Sequence, residues 1–213
     1  MTHRPRPLRR ALVAAAAACL LTLTACGQEP PADENGSTLA SSLNGTDHAP
    51  YQLSATTLTD TDGEAYTLAE DATKPLTLVF FGYTNCPTEC PIVMNTLASA
   101  MVQLSPEERE QVDVVFVTSD PARDTPTVLR SYLDRYDPEF IGLTGDLADI
   151  LQLAESMRMF VADAEALDSG GYDLNSHATY VSAVEQEGAT VLWNMETTPQ
   201  QLVDDIRTLL KDA

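Results

Sequence analysis

Two cysteines, Cys86 and Cys90, lie four residues apart, directly after an apolar run at residues 76–81 that predicts a buried strand. Thiolates act either as nucleophiles in disulfide exchange or as soft ligands for Cu(I). Pro91 favours a helix that begins at that residue, which places Cys90 near the N-cap. The positive end of such a helix lowers the pKa of nearby thiols, so the sequence predicts a reactive thiol pair at a strand-to-helix turn.

The cysteine pair alone leaves three roles open: a redox dithiol, a metal site and a structural disulfide. Thioredoxin-type dithiols have two residues between the cysteines, whereas this chain has three. The longer spacing leaves a wider opening, in which a third ligand can complete a metal site. A structural disulfide is disfavoured because a crosslink across so short a loop removes little entropy from the unfolded chain.

His177 is the candidate third ligand. It follows a long loop at residues 163–176 and precedes a predicted core strand, a position that thioredoxin-like topology brings close to the cysteine turn. Two thiolates and one imidazole form a suitable trigonal set for Cu(I) and can also hold Cu(II). Zinc is the rival metal, but it needs a fourth ligand, and the predicted domain has no further cysteine or histidine. A hydrogen-bonded structural histidine is the alternative interpretation.

Residues 1–25 have the features of an export signal. Four arginines precede an apolar stretch at residues 11–25, which is shorter than the roughly 20 residues that span a bilayer. The stretch ends in Leu-Thr-Ala-Cys, which resembles the bacterial lipobox and implies cleavage before a lipid-modified Cys26. An ordinary secretory signal, cleaved nearby, is the alternative. Either signal predicts a protein outside the cytoplasm, where the thiol pair can oxidise and needs a reductant.

Composition divides the rest of the chain into two parts. Residues 26–49 are rich in Pro, Gly, Ser, Asn and Asp, which predicts a flexible tether carrying Cys26, and residues 50–213 suffice for one folded domain. The net charge is −20, and it becomes −24 without the four signal arginines, because 8 basic and 32 acidic residues remain. A protein with this much negative charge repels nucleic acid and anionic lipid headgroups. Neither is therefore an expected partner.

The order of predicted elements indicates an α/β protein with a thioredoxin-like fold, an added N-terminal β-hairpin and a β-hairpin insertion. Strands are predicted at residues 51–53, 57–59, 65–68, 76–81, 112–118, 179–184 and 190–193. Helices are predicted to begin at Pro91, at Pro126, near Asp146 and at Pro199. The cysteine turn then lies at the carboxyl edge of the sheet, where open α/β sheets bind ligands.

Four motifs, in this order along the chain, resemble those of the SCO/SenC family of copper chaperones. They are FGYTNCPTECP at residues 81–91, TSDPARDTP at 118–126, GLTG at 142–145, and His177. The resemblance covers residues 51–213 and implies a membrane-anchored, thioredoxin-like protein that binds copper through Cys86, Cys90 and His177. Such proteins help to mature the binuclear copper site of cytochrome c oxidase.

The resemblance also implies partners and a location. The partners are the copper-site subunit of the oxidase, together with a copper donor and a thiol reductant outside the cytoplasm. The lipid anchor would hold the protein on the outer face of the bacterial cell membrane. Two functions stay open: copper delivery, and reduction of the oxidase cysteines by a thiol-disulfide oxidoreductase with Cys86 and Cys90 as its redox pair. Thioredoxins carry a cis-proline where this chain has His177 and Ala178, which favours metal binding.

Five further residues have lesser predicted roles. Asp120, Arg123 and Asp124 can orient the copper loop or a partner, but capping of the helix at Pro126 is the favoured interpretation. Met94 and Met101 are predicted to be core residues of the first long helix and not thioether ligands.

Overall fold

The computed structural model describes residues 43–161 and 179–212, which form one eight-stranded sheet with helices on both faces. The strands are β1 (Thr46–Tyr51), β2 (Thr57–Asp60), β3 (Ala65–Thr67), β4 (Leu76–Gly82), β5 (Val112–Thr118), β6 (Ile141–Thr144), β7 (Val181–Glu185) and β8 (Gly188–Trp193). The helices are α1 (Leu68–Asp71), α2 (Glu89–Gln103), α3 (Pro106–Arg109), α4 (Pro126–Leu133), α5 (Leu147–Ser156) and α6 (Pro199–Asp212). Within these residues, no helix has the length and apolar character needed to cross a membrane.

The sheet has the strand order β1-β8-β7-β4-β5-β6-β2-β3, with β4, β5 and β6 parallel. Every residue of β4 is buried, as expected for a central strand that is covered on both faces. The pairing of β4 with β5 runs from Leu76 opposite Val112 to Gly82 opposite Thr118, so both strands end at the same edge. The loops that follow these two strands therefore lie side by side.

Two hydrophobic clusters cover the two faces of the sheet. Alternate β4 side chains, including Leu78 and Phe80, contribute to the cluster that contains the buried faces of α2, α4 and α6. Val79 and Phe81 contribute to the second cluster, which contains the buried face of α5. This arrangement, with hairpins β2–β3 and β7–β8, confirms the predicted α/β architecture.

Helix starts that carry strong capping signals were predicted correctly. Thr125 is the N-cap of α4, and its hydroxyl accepts a hydrogen bond from the Val128 N–H at 3.4 Å. At α6, the Gln201 N–H donates to Thr198 Oγ1 at 3.3 Å, and the Thr198 N–H donates to Gln201 Oε1 at 2.9 Å. These reciprocal bonds form a capping box at the predicted start of the helix.

The predicted start of α2 and the predicted end of the tether were wrong. Helix α2 begins at Glu89, so Cys90 is its second residue and Pro91 its third. The edge strand β1 begins at Thr46, so residues 46–49 belong to the folded domain and not to the tether. No residue of β1 is fully buried, which explains why its sequence lacks the alternation that predicts strands.

Other predictions cannot be compared with the structure. Five predicted features lie outside the described residues: the export signal, Cys26, the tether up to residue 42, the loop at residues 163–176 and His177.

The sequence did not predict three of the observed elements, helices α1 and α3 and strand β6. Each of them has only four residues.

Candidate metal and thiol site

The two cysteines meet where β4 ends and α2 begins. Cys86 lies in the loop between these elements, and Cys90 lies in the first turn of the helix. Both are free thiols; Cys86 is 5% exposed and Cys90 is fully buried. The Cys90 backbone N–H donates to Cys86 Sγ at 3.3 Å. The structure thus brings together two of the three predicted copper ligands, at the predicted edge of the sheet.

Gly82 allows this close approach of α2 to the end of β4. A Cβ atom at this position would lie 2.9 Å from Cys90 Sγ and 2.9 Å from Phe80 Cε1. Because both contacts are shorter than van der Waals distances, any larger residue would displace Cys90 or the Phe80 ring. The glycine of the FGYTNC motif therefore has a packing role at the site.

The two thiols have opposite pKa shifts. Hydrogen bonding from the Cys90 thiol lowers the pKa of Cys86 to about 6; backbone N–H groups of Cys90, Thr88 and Glu89 act in the same direction, and burial opposes them. The pKa of Cys90 is raised far above its usual value by that same hydrogen bond, by burial and by the charge of Cys86. The pair therefore retains one shared proton near neutral pH, and Cys86 carries the negative charge.

The predicted lowering of thiol pKa values is thus right for Cys86 and wrong for Cys90. The helix start supplies backbone donors to Cys86, whereas Cys90, inside the helix and fully buried, acts as a donor itself. When Cys86 is protonated it can donate to Glu89 Oε2, which lies 3.7 Å from its sulfur.

Two tyrosines flank the cysteines. Burial raises the pKa of Tyr83, and the charges of Cys86 and Cys90 and a hydrogen bond with Cys86 raise it further. Burial also raises the pKa of Tyr132, with smaller contributions from Tyr136 and from both cysteines. Both hydroxyls therefore stay protonated at neutral pH, so they add no negative charge to the site.

A buried carboxylate, Asp124, anchors the loop that carries Cys86. Asp124 Oδ2 accepts hydrogen bonds from the Thr84 N–H at 2.9 Å and from Thr118 Oγ1 at 2.7 Å, and Oδ1 accepts from Thr84 Oγ1 at 2.5 Å. Capping of α4 was the favoured role for Asp124, and this was wrong, because Thr125 is the N-cap. The side chains of Asp120 and Arg123 form an ion pair with each other instead of capping the helix.

The sequence did not identify Tyr83, Thr84 and Thr118 as site residues. All three lie inside the two longest of the four family-like motifs, and this position was the signal in the sequence that could have identified them. Their roles depend on the alignment of β4 with β5, which brings the two motifs together, and on side-chain directions that a sequence pattern does not specify.

Within residues 43–161 and 179–212, no group of three or more His, Cys, Asp or Glu side chains is arranged to hold a metal ion. The described part of the site supplies two sulfur donors, the ligand type that Cu(I) prefers. His177, the predicted third ligand, lies outside the described residues, so its role stays a prediction.

Strands β4, β5 and β6 pair in parallel, and the other pairings in the sheet are antiparallel. A mixed sheet of this kind, with a cysteine pair at the N-terminus of the helix that follows a central strand, defines a thioredoxin-like protein. The family model described as SCO1/SenC matches residues 46–211. The chain therefore belongs to the SCO1/SenC family, which confirms the resemblance seen in its motifs.

Individual relatives agree with this assignment. An SCO2-like protein of Rickettsia felis is 28% identical over 151 residues, which cover 70% of this chain and 73% of the relative. A putative copper-binding protein of Stutzerimonas stutzeri is 38% identical over 113 residues, covering 53% of this chain and 54% of the relative.

Two solved structures have the same fold. Bradyrhizobium japonicum ScoI with copper bound has a TM-score of 0.64 and 29% identity, covering 74% of this chain and 98% of that protein. Yeast Sco1 has a TM-score of 0.68 and 26% identity, covering 77% of this chain and all of that protein, 100%. These similarities confirm the predicted thioredoxin-like fold.

Proposed function

We propose that this protein binds copper outside the cytoplasm and delivers it to, or prepares, the binuclear copper site of cytochrome c oxidase. The observation that carries the proposal is the pair of buried, adjacent thiols at the carboxyl edge of the sheet. Support comes from relatives: B. japonicum ScoI was solved with copper bound, and BsSco is described as a member of the Sco family of cytochrome c oxidase assembly proteins.

In the proposed site, Cys86 and Cys90 supply two thiolates and His177 supplies an imidazole. Cys86 is already disposed to lose its proton, whereas Cys90 must release one when copper binds. Copper binding therefore releases protons. The affinity of the protein for copper should rise with pH over the range in which Cys90 is protonated in the copper-free protein.

A copper titration of the reduced mature chain, carrying Cys26→Ser so that only the site thiols remain, tests this ligand set. We expect one copper per chain, and His177→Ala should weaken Cu(II) binding more than Cu(I) binding, because two thiolates satisfy the softer ion. Unchanged affinity for both oxidation states in His177→Ala would remove the histidine from the site.

Oxidation of the pair supplies a second test. A disulfide between Cys86 and Cys90 occupies both sulfur donors, so the oxidised protein should not bind copper tightly. Equal copper uptake by the oxidised and reduced forms would contradict binding through the two thiolates.

The second candidate function is a thiol-disulfide oxidoreductase that reduces the oxidase cysteines. The opposite pKa shifts favour this second function, because Cys86 is available as a nucleophile at neutral pH while Cys90 keeps a proton.

An experiment in cells distinguishes the two functions. If copper delivery is the essential step, we expect His177→Ala at low copper to reduce oxidase activity about as much as Cys86→Ser, with partial recovery when copper is added. Full activity in His177→Ala, with loss in Cys86→Ser, would favour thiol exchange instead.

We also propose that Cys26 carries the lipid that attaches the protein to the outer face of the cell membrane, as the lipobox-like sequence implies. Cys26→Ser should move the protein from the membrane fraction to the soluble extracytoplasmic fraction. Membrane association that persists in this variant would count against the anchor.

A further inference from the structure

Asp124 is a fully buried carboxylate whose three side-chain hydrogen bonds come from Thr84 and Thr118. These donors are neutral, so they offset the cost of burying the charge less completely than a bound cation would. The carboxylate is the common acceptor of all three donors, so its removal would leave them unsatisfied at this edge of the sheet.

The bonds to Asp124 join two segments at the sheet edge. Thr84 lies in the loop after β4, two residues before Cys86, and binds the carboxylate through both its backbone N–H and its hydroxyl. Thr118 ends β5, directly opposite Gly82 at the end of β4. The loop between β4 and α2, which carries Cys86, is called the cysteine loop here. Asp124 therefore fixes the first half of the cysteine loop to the end of β5.

The second half of the loop is fixed by a different element. Cys90 belongs to α2 and is fully buried against the core. Cys86 thus lies between two fixed points, Thr84 and Cys90, and the hydrogen bond from the Cys90 N–H to its sulfur depends on both. The Cys86 N–H also donates to the Tyr83 carbonyl at 3.2 Å, within the same loop. Loss of the Thr84 attachment therefore loosens the loop that carries Cys86 while it leaves Cys90 in place.

We propose that Asp124 is a positioning residue that acts through Thr84 to hold the Cys86 sulfur in its place beside Cys90. As far as it concerns copper, this inference rests on the proposed function. Residues that orient metal ligands typically change metal affinity by about 10–100-fold when they are replaced. Asp124 does not contact the sulfur, so it is not itself a ligand.

The main variant is Asp124→Ala, which removes the acceptor for all three hydrogen bonds. We expect the reduced mature chain with this change to lose about 10–100-fold in Cu(I) affinity. In the copper-free protein, iodoacetamide should alkylate Cys86 faster, because the loop opens more often. A second variant, Thr84→Val, should change both measurements in the same direction but less, since its backbone N–H still reaches Asp124; Thr84→Ser should restore wild-type values.

Asp124→Asn separates hydrogen bonding from charge. Its amide oxygen can accept from the Thr84 N–H and Thr118, while its NH₂ group can donate to the Thr84 hydroxyl, so we expect most of the wild-type affinity and alkylation rate. If Asp124→Asn changes Cu(I) affinity and the alkylation rate as much as Asp124→Ala does, the positioning role is overturned and the effect is assigned to the negative charge.

Asp205→Ala is the matched control, because Asp205 is another buried carboxylate that accepts N–H donors, from Asn44, Gly45 and Trp193. None of these partners lies in the cysteine loop. Compared at a temperature at which both variants are fully folded, Asp205→Ala should keep the wild-type Cys86 alkylation rate. Equal rates in Asp124→Ala and Asp205→Ala would contradict the proposal.

The two readouts separate failure of this inference from failure of the proposed function. If the wild-type protein binds no copper, the proposed function fails, and the alkylation rates of the copper-free variants still test Asp124. If the wild type binds copper and all Asp124 and Thr84 variants match it in both readouts, the positioning role alone fails.

Discussion

At the scale of single residues, the site distinguishes two chemically identical thiols by their position on the backbone. Cys86, before the helix, receives hydrogen bonds from Cys90 and from the N–H groups of the first helical turn. Cys90, inside that turn, cannot receive the same donors and is fully buried. One helix start therefore creates a nucleophile and a proton donor four residues apart.

This asymmetry predicts the pH dependence of alkylation. Lowering of the Cys86 pKa to about 6 means that its thiolate fraction, and so its reaction with iodoacetamide, should rise between about pH 5 and 7 and then level off. Mass spectrometry of the separated peptides measures the rate at Cys86 alone. In Cys90→Ala, which lacks the side-chain donor, the midpoint should move to higher pH. A wild-type midpoint near 9, the ordinary value for a thiol, would contradict the assignment.

At the scale of elements, strong local signals made helix starts predictable, while tertiary contacts set the other boundaries. Thr125 with Pro126 and Thr198 with Gln201 specify caps within four residues of sequence, and both caps occur. The start of α2 at Glu89 has no side-chain cap, so the sequence placed it two residues late, at Pro91. Likewise, β1 is a strand because it pairs with β8, far along the chain.

The C-terminus of α5 has a residue that local propensity disfavours. The Met159 N–H donates to the Ala154 carbonyl at 2.9 Å and the Arg158 N–H to the Glu155 carbonyl at 3.0 Å, which is the Schellman pattern. In this motif, Arg158 adopts φ 57°, a left-handed conformation usually occupied by glycine. Its guanidinium carbon lies 5.9 Å from the centroid of the Tyr51 ring.

Replacement of Arg158 should reveal the cost of that conformation. We expect Arg158→Gly to be more stable than Arg158→Ala by about 1 kcal/mol, because both lose the contact with Tyr51 but only alanine keeps a Cβ. Urea unfolding of the two variants measures the difference in the free energy of unfolding. Equal stability would show that the Cβ at this position causes no strain.

At the scale of the whole molecule, the sequence predicted the order of the main strands and helices and the position of the cysteine pair, since buried parallel strands and caps are local patterns. The hydrogen bonds between distant segments were not predictable, because they depend on which loops the completed sheet brings together. The attachment of Asp124 to Thr84 spans 40 residues, and that of Asp205 to Asn44 spans 161. Neither carboxylate differs in the sequence from the many acidic residues on the surface.

Asp205 fixes the beginning of the domain to its last helix. Its carboxylate accepts from the Asn44 N–H at 2.9 Å, the Asn44 side chain at 2.8 Å, the Gly45 N–H at 2.9 Å and Trp193 Nε1 at 2.7 Å. Gly45 is required there, because a Cβ atom would lie 2.6 Å from both Trp193 Nε1 and Val191 Cγ1. The chain therefore enters the domain at a fixed place on α6 and β8.

Asp205→Ala should release this entry point and destabilise the domain. Each buried donor left without a partner costs about 1–3 kcal/mol, and since only Trp193 Nε1 is fully buried, we expect a total loss of about 3–5 kcal/mol in the free energy of unfolding. Hydrogen exchange should show faster exchange in residues 44–51 than in β4 and β5, whose bonds do not involve Asp205. Uniformly faster exchange in all these strands would mean that Asp205 stabilises the domain as a whole and does not specifically hold its first strand. The loop that carries Cys86, which Asp124 holds independently, should keep its wild-type protection in this variant.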